Sequence, residues 1–227
     1  MKNSHSIKHW PRSEQPREKL LSQGEQSLSD AELLAVLIRN GSQGKDALSF
    51  SRELIQRYGG LRKIFHLPVS ELKKIKGFGE AKISTLRSVI EIAQRVIKED
   101  IKSKSFNQVD SLINYLYLSM RDRAKEIFKV LFLNSKKEIL SDENLFQGSL
   151  DRSAVYPREV LQRALDCEAA FLVLVHNHPS GKAFPSEQDK RITRKLQMAC
   201  SSVSIGILDH IIIGDDNYFS FCEQNLL

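Results

Sequence analysis

Four residues in the second half of the chain combine types and spacings that suit a metal ion. His176 and His178 are separated by one residue, and Ser186 and Asp189 follow as S-x-x-D. Two neutral imidazoles and one carboxylate suit Zn²⁺, and three protein ligands leave one coordination position for water. Because zinc lowers the pKa of that water to about 7, this pattern predicts a catalytic rather than a structural metal site.

The elements around these residues are expected to bring them to a common point. The apolar run 169–175 predicts a buried strand, and strand geometry continued to His178 puts His176 and His178 on the same face. Ser186 is predicted to begin a helix in which Asp189 lies three residues on, on the same helical face. Since one short loop joins the strand to the helix, the three ligands can converge.

Each residue taken alone also has a simpler explanation. Ser186 is a good helix N-cap, and Asp189 in the first turn complements the helix dipole. A lone histidine at the end of a strand is more often structural than a ligand. The joint pattern, with H-x-H closing an apolar strand and S-x-x-D opening a helix, favours the metal site, and Ser186 can serve in both roles.

The pattern H-x-H-x7-S-x-x-D resembles the motif of the JAMM (MPN+) metalloproteases, relatives of the deubiquitinating isopeptidases, at every position. The chain as a whole resembles the bacterial RadC family, also named UPF0758. The segments that carry this resemblance are PREVLQRAL, LVHNHPSG and LDHIIIG and, near the N terminus, PREKLLSQG and LSDAELLAVLIRNG. The resemblance implies a zinc metallopeptidase or isopeptidase with one Zn²⁺ per chain, held by His176, His178 and Asp189.

The same resemblance implies two catalytic residues and raises a third candidate. Glu126 matches the upstream glutamate of the JAMM pattern, a carboxylate that accepts a proton from water and passes it to the leaving amine. Ser186 would donate a hydrogen bond to the developing oxyanion or hold the water. His210, in LDHIIIG, either orients a ligand or the loop through a hydrogen bond or is a structural histidine at a strand position.

Composition limits the class of protein and its compartment. The chain has 227 residues, of which 41% are hydrophobic and 27% charged, as in globular proteins. Three widely spaced cysteines without a CxxC pair argue against a disulfide framework and against a thiolate zinc site. The N terminus lacks the apolar run of a signal peptide, and the run 169–175 is too short to cross a bilayer. We therefore expect a cytoplasmic protein without membrane contact.

The expected fold class is α/β (α+β), in two domains at 1–103 and 104–227, separated in the polar segment 98–108. The first domain is predicted to be all-α, with a helix-hairpin-helix-like turn. The second is predicted to be a mixed β-sheet flanked by helices. For the second domain the resemblance implies the JAB/MPN fold, with its cytidine-deaminase-like architecture. Its strands are predicted at 127–133, 138–140, 169–175, 203–213 and 218–221.

The first domain carries features that suit DNA. Residues 1–104 hold 20 Lys and Arg against 12 Asp and Glu, a net charge of +8, whereas the remainder has a net charge of −2. The segment 75–82, IKGFGEAK, resembles the turn of a helix-hairpin-helix motif, which presents glycines and a helix N terminus to a phosphate. The candidate DNA contacts are Lys76, Gly77, Gly79 and Lys82. The same turn also serves as pure packing, so a solvated basic surface is the alternative.

Three functions compete on this basis. The leading hypothesis is a zinc metallopeptidase acting on a peptide or protein substrate. The alternative is a DNA-associated repair or recombination protein, in which the metal domain is an interaction module. A third function, hydrolysis at DNA itself, has less support, because the H-x-E…P-C-x-x-C pattern of the zinc deaminases is absent. The H-E-x-x-H pattern of thermolysin-type proteases is absent as well.

Overall fold

The computed structural model describes residue 7 and residues 10–102, 109–148 and 155–227. The chain divides into two compact units, residues 1–92 and 93–227. This division falls within a long helix, Glu80–Lys102, whereas the sequence suggested a boundary near residue 103. Residues 103–108 lie outside the described part of the chain.

The first unit is helical throughout its described elements, as its sequence predicts. Ser29 caps the second helix through a reciprocal capping box with Glu32, and Gly59 ends the third helix in the left-handed conformation that glycine tolerates. Two short helices, Pro16–Gln23 and Leu61–His66, were not expected from the apolar spacing, because each has too few turns to show a period. The helices are α1 (Pro16–Gln23), α2 (Asp30–Ile38), α3 (Ala47–Tyr58), α4 (Leu61–His66), α5 (Val69–Lys74) and α6 (Glu80–Lys102).

One apolar cluster holds these helices together. It buries a side chain from almost every helix of the unit, and six of its members are at most 2% exposed: Leu34, Leu48, Leu54, Ile64, Leu72 and Leu86. The burial of such side chains contributes about 1.5–3 kcal/mol each, before conformational entropy is counted. The first unit thus has a hydrophobic core of its own.

The second unit is a mixed sheet with helices on its faces. The strands lie in the order β2-β1-β3-β4-β5. Among the described strands, β3 and β4 run parallel, and the other neighbouring pairs are antiparallel. The elements are α7 (Val109–Met120), β1 (Ile127–Leu133), β2 (Ile139–Gln147), α8 (Pro157–Asp166), β3 (Phe171–Asn177), α9 (Glu187–Ser201), β4 (Gly206–Ile213) and β5 (Tyr218–Ser220).

The sequence underestimated strand β2, which was predicted at 138–140. The strand runs from Ile139 to Gln147 and includes the polar stretch Ser141–Asn144. It lies at the edge of the described sheet, and none of its residues is fully buried. A strand of this kind lacks the apolar alternation from which strands are predicted, so its pairing with β1 depends on tertiary context.

The two faces of the sheet pack against different helices. One face of β1, β3 and β4 packs with α7, through Leu112, Leu116 and Met120. The other face packs with α8 and α9, through Val160, Ala164 and Leu196. The strand β3 lies at the centre and is buried on both faces, which explains its unbroken apolar run.

A buried charge network ties the edge strand to the rest of the second unit. Asp142 of β2 accepts hydrogen bonds from Tyr115 Oη at 2.6 Å and from Lys129 Nζ at 2.9 Å, and it also pairs with Lys98. Burial raises the pKa of the Asp142 carboxyl, but Lys129 and the bonds from Lys98 and Tyr115 lower it more, so its pKa lies below the usual value. The carboxylate therefore stays ionised in the interior.

No helix in the described part of the chain combines the length and the apolarity that a membrane crossing requires.

Candidate metal centre

Four side chains converge where β3 ends and α9 begins. One ligand atom each from Glu126, His176, His178 and Asp189 lies within 4.8 Å of the others. The pairing of Phe128 with His176 in the antiparallel β1–β3 ladder brings the start of β1, and with it Glu126, to the end of β3. The fold thus brings together His176, His178 and Asp189, which the sequence predicts to converge, and places Glu126 beside them.

The two histidines and the aspartate form the tightest part of the cluster. His176 Nε2 lies 3.0 Å from His178 Nε2 and 3.2 Å from Asp189 Oδ1, while His178 Nε2 lies 3.5 Å from Asp189 Oδ2. His176 is completely buried and Asp189 is 1% exposed. These three residues would hold the metal ion.

His178 has its tautomer fixed by the loop that follows it. Its Nδ1 lies 2.7 Å from the carbonyl oxygen of Lys182. A carbonyl oxygen only accepts, so Nδ1 carries the hydrogen, and Nε2 of the neutral ring presents a lone pair to the centre of the cluster.

His176 has its tautomer fixed through two further residues. The Thr193 hydroxyl donates to the carbonyl of Asp189 at 2.6 Å, so its oxygen accepts from His210 Nδ1, also at 2.6 Å. The other nitrogen of His210, Nε2, therefore accepts from His176 Nδ1 at 2.8 Å. His176 Nε2 is left as a lone pair that faces the other ligands.

His210, for which the sequence left two interpretations, lies next to His176. It is fully buried on the same face of the sheet as His176 and contacts it directly, so it orients a candidate ligand. Burial and the neighbouring His176 hold the pKa of His210 well below the usual histidine value, so its ring is neutral. Phe221 stacks on this ring, with centroids 4.8 Å apart.

Ser186 is the N-cap of α9 and is bound entirely to Asp189. The Ser186 backbone N–H and hydroxyl both donate to Asp189 Oδ2 at 2.7 Å, and the hydroxyl accepts from the Asp189 N–H at 3.2 Å. This capping box orients the carboxylate and satisfies only one of its two oxygens. Asp189 Oδ1 is buried without a hydrogen-bond partner among the described residues.

These contacts test whether the residues fit a metal ion. His176 Nε2 lies 3.0 Å from His178 Nε2 and 3.2 Å from Asp189 Oδ1. Both nitrogens present lone pairs, and the oxygen is buried without a hydrogen-bond partner among the described residues. Three acceptors at such distances repel unless a cation lies among them. Two nitrogens and one oxygen are a donor set that suits Zn²⁺, so the residues fit the ion that the sequence predicts.

The pKa values of His178 and Asp189 also indicate that a cation fits this site. Burial lowers the pKa of His178, but its hydrogen bonds to Asp189 and Lys182 raise it more, so its pKa lies above the usual value. Burial raises the pKa of Asp189, but the neighbouring imidazoles of His176 and His178 lower it more. Both shifts therefore favour a positive charge between these side chains, and a bound metal ion would supply that charge in place of a proton.

Glu126 lies beside the three candidate ligands rather than among them. Its Oε1 is 4.0 Å from His176 Nε2, and its side chain is 15% exposed, compared with 1% for Asp189. The backbone carbonyl of Glu126 accepts from the N–H of Gly148 at 2.9 Å. A carboxylate that reaches both solvent and the ligands is suitably placed to exchange protons with water.

The turn between α5 and α6 uses two of the candidate DNA contacts for packing. Gly77 has a φ of +85°, and a Cβ at this position would collide with Ser42, whose hydroxyl donates to the carbonyl of Lys76 at 2.9 Å. Lys82 Nζ donates to the carbonyls of Gly77 and Gly41, at 2.8 and 3.3 Å.

Burial lowers the pKa of Lys82. The side chain of Lys76 is exposed, and Gly79 lies at the solvent-exposed start of α6. The geometry thus gives Gly77 and Lys82 a local structural role, and Lys76 is the residue of the four that presents a charge to solvent.

One residue of the site, Thr193, was not singled out from the sequence. It lies one turn after Asp189 on α9 and is 1% exposed, so both side chains face the sheet. A threonine at this spacing is ordinary in a helix, and only the packing of α9 against β4 brings it to His210. The spacing of four residues after a candidate ligand is the one hint that the sequence offered.

Comparison with known family models identifies the family of this chain. A family model described as RadC-like JAB domain matches residues 106–226. This chain belongs to the RadC family. A second model, described as UPF0758 N-terminal, matches residues 7–84, so the family resemblance extends through both units.

Several RadC-family relatives match over nearly the whole chain, and each is named UPF0758 protein. A protein of Shewanella loihica is 43% identical over 220 residues, which cover 96% of this chain and 98% of the relative. A protein of Cellvibrio japonicus is 45% identical over 223 residues, covering 98% and 100%. A protein of Vibrio campbellii is 46% identical over 220 residues, covering 96% and 98%. The family and the fold class expected from the sequence are therefore confirmed, while the helix-hairpin-helix assignment stays a prediction.

Proposed function

We propose that this RadC-family protein is a zinc-dependent hydrolase of the JAMM type, acting on peptide or isopeptide bonds. The observation that carries the proposal is the meeting of the His176 and His178 lone pairs, 3.0 Å apart, with an Asp189 oxygen that has no hydrogen-bond partner among the described residues. Zinc held there would polarise the scissile carbonyl and make water a nucleophile near neutral pH.

The proposed chemistry assigns a role to each neighbouring side chain. Glu126 accepts a proton from the attacking water and returns it to the nitrogen of the leaving group as the C–N bond breaks. His210 and Thr193 hold His176 in the tautomer that leaves Nε2 unprotonated. Ser186 holds Asp189 through Oδ2, and its hydroxyl is the proposed donor to the developing oxyanion once it turns away from that carboxylate.

The first test is the metal content of the purified full chain, measured by elemental analysis. The wild type should hold one zinc ion and His178→Ala none. His66→Ala is a matched control, because His66 lies in α4 of the other unit and bonds to the carbonyl of Arg62. Absence of zinc in the wild type after loading and desalting would contradict the proposal, as would equal zinc in wild type and His178→Ala.

The second test concerns catalysis. Zinc-loaded protein should cleave members of a panel of peptide and isopeptide substrates, and Glu126→Gln should keep its zinc but lose turnover about 10²- to 10⁴-fold. A protein that holds zinc stoichiometrically and cleaves none of the panel would support the competing function, in which the metal domain is an interaction module.

The second candidate function is DNA binding by the first unit, in a repair or recombination role. The observation that favours it is the exposure of Lys73, Lys74 and Lys76 beside the turn between α5 and α6, within the half of the chain that carries the net positive charge. Backbone phosphates are the expected partners, because such turns contact DNA without reading its sequence. The proposed compartment for both functions is the cytoplasm, which suits three cysteines that are all free.

A further inference from the structure

Asn177 stands between the two candidate histidine ligands and points away from them. Because successive side chains of a strand alternate, His176 and His178 face one side of the sheet and Asn177 faces the other. Its side chain is nevertheless completely buried, with a relative exposure of 0%. A buried amide needs hydrogen-bond partners, and the identity of those partners shows what this residue does.

The partners of the Asn177 amide are all backbone groups around Glu126. Asn177 Oδ1 accepts from the Ile127 N–H at 2.8 Å. Asn177 Nδ2 donates to the carbonyl of Lys125 at 3.3 Å and to that of Arg123 at 3.4 Å. The bonded groups lie on both sides of Glu126, so the amide clamps the segment that carries this carboxylate.

The clamp acts where the β-ladder has ended. Phe128 and His176 are the first pair of the β1–β3 ladder, so Ile127 and the residues before it have no backbone partner in β3. On the opposite side the Gly148 N–H holds the carbonyl of Glu126. The Asn177 side chain thus replaces the missing ladder bonds and joins the start of β1 to the strand that carries both histidines.

We propose that Asn177 is the positioning residue for Glu126: it fixes the distance between this carboxylate and the metal ligands by binding the backbone on both sides of it. The inference rests on the proposed function, because in that function Glu126 accepts and returns a proton beside the metal. The ligands themselves do not depend on this clamp, because His176, His178 and Asp189 are held by His210, Lys182 and Ser186. Loss of the clamp should therefore displace Glu126 and spare metal binding.

The test uses Co²⁺ in place of zinc, because its visible spectrum responds to the surroundings of the metal and needs no substrate. Asn177→Ala removes all three bonds, while Asn177→Asp keeps the bond from Ile127 and exchanges the donating nitrogen for an acceptor. Asn134→Asp is the matched control, since Asn134 also bonds to nearby backbone, at Lys136 and Glu138, but in the turn between β1 and β2. Thermal unfolding establishes which variants are folded, and Asn177→Asp serves if Asn177→Ala is not.

The expected result has three parts. Both Asn177 variants bind one Co²⁺ per chain, and their spectra change in the same direction as that of Glu126→Gln. The double variant Glu126→Gln/Asn177→Ala has the spectrum of Glu126→Gln alone, because a positioning residue has no further effect once its carboxylate is gone. With a cleaved substrate, the same non-additivity should appear in kcat, with a loss of tenfold or more for Asn177→Ala and an unchanged KM.

Failure of this inference is distinct from failure of the proposed function. If Glu126→Gln alters the Co²⁺ spectrum but the folded Asn177 variants match the wild type, Asn177 has only a structural role. Effects of the two substitutions that add in the double variant lead to the same conclusion. If the wild type binds no Co²⁺, the proposed metal centre fails and the positioning role falls with it. If the wild type binds Co²⁺ but Glu126→Gln leaves the spectrum unchanged, Glu126 does not act beside the metal, and the positioning role is overturned while the metal centre stands.

Discussion

His176 Nδ1 lies 2.8 Å from His210 Nε2. Through this bond Thr193, which contacts His210 and not His176, sets the tautomer of the candidate metal ligand His176. The sequence of bonds starts at the carbonyl of Asp189, which accepts the Thr193 hydroxyl proton and so makes the hydroxyl oxygen an acceptor for His210. The helix α9, which supplies the ligand Asp189, thereby also sets the tautomer of the ligand His176 on β3. Such outer partners orient a ligand and raise its basicity.

Replacement of Thr193 by valine should weaken zinc binding by about 10- to 100-fold, with little change in fold. Valine keeps the shape of the side chain but removes the acceptor for His210 Nδ1, so the tautomers of His210 and His176 are no longer fixed. The measurement is zinc affinity by competition with a chromogenic chelator. Thr85→Val is the control, because Thr85 makes the same bond to the carbonyl four residues earlier, in α6. Equal affinity in wild type and Thr193→Val would show that the tautomer is set in another way.

The neutral, buried His210 should make the metal-free protein less stable in mild acid. Its folded pKa lies well below the usual value, while in the unfolded chain it is about 6.5, so below that pH the unfolded state binds a proton that the folded state does not. Stability is then lost as pH falls, by up to about 1.4 kcal/mol per pH unit.

His178 acts in the opposite sense, because its raised folded pKa adds stability below about pH 6.5 that is lost as pH rises through the folded value. The contribution of His210 is therefore isolated by comparing the wild type with His210→Gln in chelator, by urea unfolding between about pH 7 and about pH 5. The stability advantage of the wild type over the variant should shrink toward the acid end. A constant difference across this range would mean that folded His210 takes up a proton as readily as the unfolded residue.

Asp189→Ala should abolish stoichiometric zinc. The carboxylate is the only acidic group among the three candidate ligands, and its loss leaves two histidines without the charge that binds the cation. Asp46→Ala is the matched control, since Asp46 is the N-cap of α3. Its replacement should cost about 1 kcal/mol of stability without affecting metal content. Full zinc occupancy in Asp189→Ala, measured by elemental analysis, would remove this residue from the ligand set.

Asp142→Ala should destabilise the protein strongly, by about 3–5 kcal/mol, because it leaves the buried Lys129 ammonium without its counter-ion. Asp166→Ala is the control, since its ion pair with Arg163 is at the surface and should matter far less. Chemical unfolding of zinc-free protein checks both values. Similar small losses in the two variants would indicate that water reaches Lys129.

If the first unit binds DNA, replacing Lys73, Lys74 and Lys76 by alanine should weaken that binding and lower the slope of log K against log salt by about 2.7, since each lysine contributes about 0.9. The control replaces three exposed cations of the second unit, namely Lys136, Arg194 and Lys195. Both are measured in the full chain with duplex DNA at several salt concentrations. An unchanged slope in the first variant, or no binding by the wild type, would leave the basic surface simply solvated.

The sequence by itself determined the candidate ligand set, the elements that carry it and the family of the protein. Histidines separated by one residue at the end of an apolar run share a face in any strand, and Ser186 and Asp189 cap any helix that begins there. These relations are local, fixed by the repeat of two residues in a strand and by the geometry of a helix start. The same locality explains why the bounds of β1 agree with its predicted position.

Only the tertiary structure decided which residues serve the ligands. Thr193 reaches His210 because α9 packs on the face of β4, and Asn177 reaches the backbone around Glu126 because β1 pairs antiparallel with β3. These partners are separated by 17 and 50 residues, and neither pair has a spacing that marks it. The long edge strand β2 was hidden for the same reason, since its polar residues are held by the neighbouring strand. Local periodicity specifies which face of an element a residue occupies, whereas the packing of elements specifies what that face meets.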